Sequence, residues 1–246
     1  MRILEKTLAS LKCHFVDDLP SNLKPELIAI FCHGYGASGT DLVPLGEELL
    51  GICPALSGRV QFVFPEAIIP LEDMGIPGGR AWWPIDMVKL QLANATGRFD
   101  ELRKKMPEGL IDARQAILEL IDQLTRLSGL GRSQIVLGGF SQGAMLSTDV
   151  ALHLDSNLAA LIAMSGTLIN EAEWLASVAQ HSGLTVLQSH GRADPLLPFS
   201  GAERLRELLT NGGIAVDFIP FEGGHTIPYE VLDQIGFLLQ QLLGKS

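Results

Sequence analysis

The sequence predicts an α/β protein: a mainly parallel sheet flanked by helices on both faces. Two observations carry this. Short β-branched, apolar runs recur along the 246 residues, and stretches of helical period separate them. A composition of 47% hydrophobic and 19% charged residues is that of a globular chain and excludes collagenous, coiled-coil and wholly disordered proteins. Because α/β folds often run to roughly 250 residues as one unit, residues 1–246 are read as a single domain.

The elements follow in order. Residues 11–16 form an edge strand, and 27–32, all apolar, form a buried strand that leads into a helix over 41–50. A strand at 60–64 opens a connection over 65–106 that shows no sustained periodicity. Connections beyond about 12–15 residues are usually functional or disordered, and the adjacent Trp82 and Trp83 argue against disorder because they need a surface to bury against. Next, Leu110, Ala113, Ile117, Ile121 and Leu124 recur at three- or four-residue intervals behind Pro107 and Glu108, residues suited to a helix start. Strands at 134–140, 159–164, 184–188 and 215–221 then alternate with helices at 142–153, 201–210 and 229–243.

Charge and cysteine content narrow the function. Lys plus Arg number 18 and Asp plus Glu 28, a formal charge of −10 that repels nucleic acid and anionic lipid surfaces. Cys13, Cys32 and Cys53 show no Cys-x-x-Cys spacing, against both a disulfide framework and a structural zinc site. No stretch approaches the roughly 18 apolar residues of a membrane span. A soluble, cytoplasmic protein without integral membrane association is expected.

The strand over 134–140 runs into Gly139-Phe140-Ser141-Gln142-Gly143 and then a helix. In that context Gly-x-Ser-x-Gly is a sharp turn that presents a serine, the small neighbours letting the backbone bend. The bland alternative is a glycine-rich turn with a helix-capping serine. A serine nucleophile needs a base, and the base an orienting acid. His225, in Gly223-Gly224-His225 beyond the last strand, is the best base, and Asp194, in His190-Gly191-Arg192-Ala193-Asp194-Pro195, the best acid. Ser141, Asp194 and His225 each lie beyond a predicted strand end, in the chain order of the serine, acid and histidine of α/β-hydrolases. His14, His153 and His181 read as ordinary strand, helix and surface residues, and His33 as structural. The glycine-rich His33-Gly34-Tyr35-Gly36-Ala37-Ser38-Gly39 offers backbone donors for an oxyanion and lacks the spacing of a phosphate loop.

Together these four motifs resemble the phospholipase/carboxylesterase family of α/β-hydrolases, which includes the acyl-protein thioesterases, over nearly the whole chain. The resemblance implies an α/β-hydrolase fold, Ser141 as nucleophile, His225 as base, Asp194 as acid, and the N–H groups of Tyr35 and Gln142 as oxyanion hole. It implies a hydrolase of carboxylic esters or acyl thioesters needing neither metal nor organic cofactor, acting on a small ester, a lipid or an acylated protein; a homodimer is left open. The family usually carries a Trp-aromatic-Asp element, whereas here Pro84 and Ile85 separate Trp82-Trp83 from Asp86. Trp82 and Trp83 are expected to bind substrate, with Ile68, Ile69, Leu71, Met74, Ile76 and Ile85 lining or roofing the acyl pocket; the competing reading has the tryptophans anchor the loop. The alternative function is a non-catalytic module binding a small apolar ligand.

Overall fold

The computed structural model describes residues 1–96, 98 and 104–244. The main sheet is built from β1 (Arg2–Leu8), β2 (Leu11–Asp17), β3 (Leu27–Cys32), β4 (Val60–Pro65), β7 (Ile135–Phe140), β8 (Ala160–Met164), β9 (Thr185–Gly191) and β10 (Ala215–Phe221). Their spatial order is β1-β2-β4-β3-β7-β8-β9-β10. From β4 to β10 every neighbouring pair is parallel, while the β1–β2 hairpin joins β4 antiparallel. The expected edge strand, β2, is therefore one place in from the edge. The edge is β1, which the sequence does not betray because six of its seven residues are exposed and no apolar face alternates along it.

Side chains of β3 sort by the two-residue period of a strand. Ile28, Ile30 and Cys32 enter one core, and Leu27, Ala29 and Phe31 the other. The first core is covered by α3 (Leu110–Ser128), through Leu110, Ala113, Ile117, Leu120, Ile121 and Leu124, and by α6 (Phe199–Asn211). The second is covered by α1 (Val43–Ile52) and α7 (Tyr229–Leu243). Gly129, at φ 81°, closes α3 in the left-handed conformation that glycine adopts without a steric penalty. The helix α4 (Gln142–Ala151) is buried at every residue, lying between sheet and outer helices.

Residues 65–106 hold more regular structure than their sequence suggests. A two-stranded ribbon pairs β5 (Ile69–Pro70) with β6 (Arg80–Ala81), and α2 (Met87–Ala95) follows. Asp86 starts α2: its side chain accepts the Lys89 N–H at 2.9 Å and its carbonyl the Leu90 N–H at 2.9 Å. A ribbon of two residues per strand and a helix of weak amphipathicity leave no periodic signal to read. The short α5 (Glu171–Ser177) was likewise not foreseen. His181, expected at the surface, is buried between Asn157 Oδ1 and the Leu152 carbonyl, at 3.0 and 3.2 Å. The three cysteines are free, and burial pushes the Cys13 and Cys32 thiols up to about 12.

Strand order fixes where a site can form. The chain leaves β3 toward β4 on one side and crosses back to β7 on the other, so the loops after β3 and β7 diverge. Ligands of open α/β sheets bind in the crevice such a divergence opens at the carboxyl ends of the strands.

Candidate active site

At that crevice β7 ends in Ser141, whose φ of 56° and ψ of −116° are unfavourable for any residue with a Cβ. The turn is held by the Ser141 N–H donating to the Met164 carbonyl at 2.9 Å, and by the Ala144 N–H donating to the Ser141 carbonyl at 3.0 Å. Its glycines are steric requirements. A Cβ at Gly143 would stand 1.9 Å from the Cys32 carbonyl oxygen, and one at Gly139 would stand 2.4 Å from the Gly143 carbonyl carbon. Bulk at either position would drive the turn off the end of β3.

Asp194 follows β9 and is wholly buried. One carboxylate oxygen, Oδ1, accepts the N–H groups of Leu196 and Leu197 at 2.8 and 2.9 Å, and the other, Oδ2, meets His225 Nδ1 at 2.6 Å. Burial opposes the charge, but these donors, His225 first, hold the carboxyl below its ordinary value. The His225 ring rests against Phe140, centroids 4.7 Å apart. Ser141 and His225 line one cavity of about 580 Å³. No hydrogen bond joins them among the described residues; catalytic contacts are often loose before substrate arrives.

Tyr35 lines the same cavity, and Gln142, itself buried, follows Ser141 in the chain. Gly34 brings the first loop so close that a Cβ on it would meet the Ser141 Cβ at 3.3 Å. The Gln142 N–H opens α4 and has no partner within its helix, and the Tyr35 N–H makes no backbone hydrogen bond among the described residues. His33 is structural, as read: buried, its Nδ1 donates to the Gly34 carbonyl at 2.8 Å and its Nε2 accepts the Ala67 N–H at 3.1 Å. Burial lowers its pKa despite the Gly34 contact, so the ring stays neutral.

The two tryptophans part company. Trp83 lines the cavity beside Pro84 and Ile85. Trp82 does not: it is fully buried in the core, donates its indole N–H to the His33 carbonyl at 2.9 Å and lies 5.7 Å from the His33 ring. The expected substrate role of Trp82 is thus corrected to anchoring, since the buried indole N–H finds its acceptor beneath the loop. Of the six other residues expected to line the pocket only Ile85 does so, Leu71 being in the core and Met74 59% exposed; Met87, Leu90 and Met106, farther along the connection, line it as well. Outside that connection the apolar wall includes Phe140, Met145, Leu168, Ile169, Leu196 and Leu197, with the hydroxyl-bearing Thr167 beside them. Met145 could have been found as the position one helical turn past Ser141. Among the described residues no cluster of His, Cys, Asp or Glu could hold a metal ion, and no helix is long and apolar enough to cross a membrane.

A family model described as phospholipase/carboxylesterase matches residues 19–243. The chain belongs to the phospholipase/carboxylesterase family. It is similar to acyl-protein thioesterase 1 of Eremothecium gossypii, 31% identical with 83% of each chain covered. It is also similar to acyl-protein thioesterase 1 of Gibberella zeae, 30% identical over 92% of this chain and 95% of the relative. Among solved structures, esterase PE8 superposes with a TM-score of 0.75 at 27% identity, covering 93% of this chain and 97% of that one. A phospholipase/carboxylesterase of this kind is a serine hydrolase acting on carboxylic esters or acyl thioesters, and no observation favours the non-catalytic alternative.

Proposed function

We propose that Ser141, His225 and Asp194 are the working triad, with the N–H groups of Tyr35 and Gln142 as the oxyanion hole and Trp83 in the acyl-binding wall. The observation that carries this is the 2.6 Å Asp194–His225 bond on a cavity whose floor is the strained Ser141. His225 Nε2 takes the serine proton as Oγ attacks the carbonyl carbon, and Asp194 holds Nδ1–H and stabilises the imidazolium. The carbonyl oxygen gains its negative charge between the two backbone donors. His225 returns the proton to the departing alcohol or thiol, leaving an acyl-serine, and water repeats the cycle to release the acid.

The apolar wall of Trp83, Ile85, Met145, Leu168, Ile169, Leu196 and Leu197 suits a hydrocarbon acyl chain. The thioesterase relatives support acyl thioesters, acylated proteins among them, as substrates. Unpaired thiols support the cytoplasm as the compartment.

The test is hydrolysis of matched p-nitrophenyl esters and acyl thioesters, from acetyl to palmitoyl, by the wild type and Ser141→Ala. The variant should lose fluorophosphonate labelling and about four or more orders of magnitude in kcat while keeping its fold. Near-normal turnover would overturn the reading.

A further inference from the structure

His190, at the end of β9, plays no part in the proton transfers above, yet it stands against the acid. Its side chain is wholly buried, with Nε2 2.9 Å from the Leu197 carbonyl oxygen and 3.4 Å from Asp194 Oδ2. Both neighbours of that nitrogen are acceptors, so Nε2 carries a proton. The backbone of Leu197 is therefore held on both sides: its N–H is bound by Asp194 Oδ1 and its carbonyl by His190. Asp194 Oδ2 in turn faces two imidazole N–H groups, that of His225 at 2.6 Å and that of His190 at 3.4 Å.

We propose that His190 is a positioning residue: an Nε2–H donor that closes the Asp194–Leu197 turn and draws on Asp194 Oδ2, thereby setting how strongly the acid supports the charged form of His225. This rests on the triad reading above and goes beyond it, because the triad alone assigns His190 nothing.

Neutrality matters to the assignment. A cation 3.4 Å from Oδ2 would neutralise the acid and disfavour the imidazolium that His225 must become. Burial, the largest influence, lowers the pKa of His190 and outweighs the Leu197 carbonyl and the Asp194 charge, which raise it. The titratable groups facing the ring are Asp194, on the turn after β9, and His225, on the loop after β10. From α6 comes only an uncharged ring, Phe199, at 6.1 Å and edge-on; the Arg192 guanidinium lies over that ring, 5.0 Å from its centre.

Leu and Gln at position 190 separate the roles. His190→Leu keeps bulk and removes the donor; His190→Gln places an amide N–H where Nε2 stood. Activity is expressed per site labelled by fluorophosphonate, so misfolded protein does not count. In His190→Leu the carboxylate is left with more charge and the imidazolium is favoured. The acid limb of the kcat/KM pH profile should then move to higher pH by about half a unit, while loss of the bond that closes the Asp194–Leu197 turn should misplace the acid and lower kcat about tenfold. His190→Gln should return the limb to its wild-type position and most of kcat. If the leucine variant does not fold, His190→Asn, whose shorter amide stops short of Leu197, takes its place beside His190→Gln. An unmoved limb in the donor-less variant overturns the proposal, and so does an equal displacement in His190→Gln. Failure of the triad reading looks different: Ser141→Ala would then still turn over.

Discussion

Ser141 shows what the site asks of one residue. At φ 56° and ψ −116° its backbone holds a conformation that costs of the order of 1–3 kcal/mol for any residue but glycine. Glycine would relieve it while adding roughly 0.4–1 kcal/mol of unfolded-chain entropy. Ser141→Gly should therefore be inactive yet more stable than the wild type by about 1 kcal/mol, read as a higher midpoint in urea. A less stable variant would mean that the turn is not strained. The sequence shows that Ser141 needs small neighbours but not how absolute the need is. Only the approach of the Cys32 carbonyl to within 1.9 Å of a Cβ at Gly143 reveals that, and it depends on two strands far apart in the chain. The split between Trp82 and Trp83 was illegible for the same reason. Adjacent residues of one type differ only in what the fold places above and beneath them.

Among the elements, a buried charge cluster ties three helices to one another. Asp149 on α4, wholly buried, accepts from Arg114 Nε on α3 at 2.6 Å and from the Trp174 indole on α5 at 2.8 Å. Arg114 also reaches Glu173 on α5 at 3.3 Å. The segments leading into α3 and α5, Met106 to Glu108 and Thr167 to Ile169, are walls of the cavity. Removing one partner strands the other in a low dielectric, so Asp149→Leu should cost about 3–5 kcal/mol in denaturant unfolding. Replacing both, Arg114→Met with Asp149→Leu, should recover most of that loss. Equal losses in the single and double variants would deny the coupling. Nothing in the sequence announces the cluster, because an Arg and an Asp 35 positions apart on two different helices look like solvated charges. By contrast α3 and α7 were legible to within a few residues, since helical period and a buried stripe are local signals.

For the whole molecule, the parallel core and the chain order of Ser141, Asp194 and His225 could be read because each rests on runs that carry their own periodicity. The placing of Trp82 and Trp83 could not, since what holds them is a partner distant in sequence. That partner is the side chain of Gln142. Its Oε1 accepts the Trp82 N–H at 2.9 Å and its Nε2 donates to the Trp83 carbonyl at 2.8 Å. One amide thus pairs with a dipeptide of the loop as a neighbouring strand would, on the residue whose own N–H is proposed for the oxyanion. An excursion that lifts residues 82 and 83 off the body of the protein breaks both bonds and frees the side chain of the residue beside the nucleophile. In native-state hydrogen exchange the Trp82 amide should be protected to the level of the β7 amides, and Gln142→Ala should release it toward the rate of an exposed loop. Fast exchange of Trp82 in the wild type would mean the loop opens independently. An enzyme wired this way varies its acyl preference most cheaply beyond Trp83, where side chains touch the cavity but hold nothing shut.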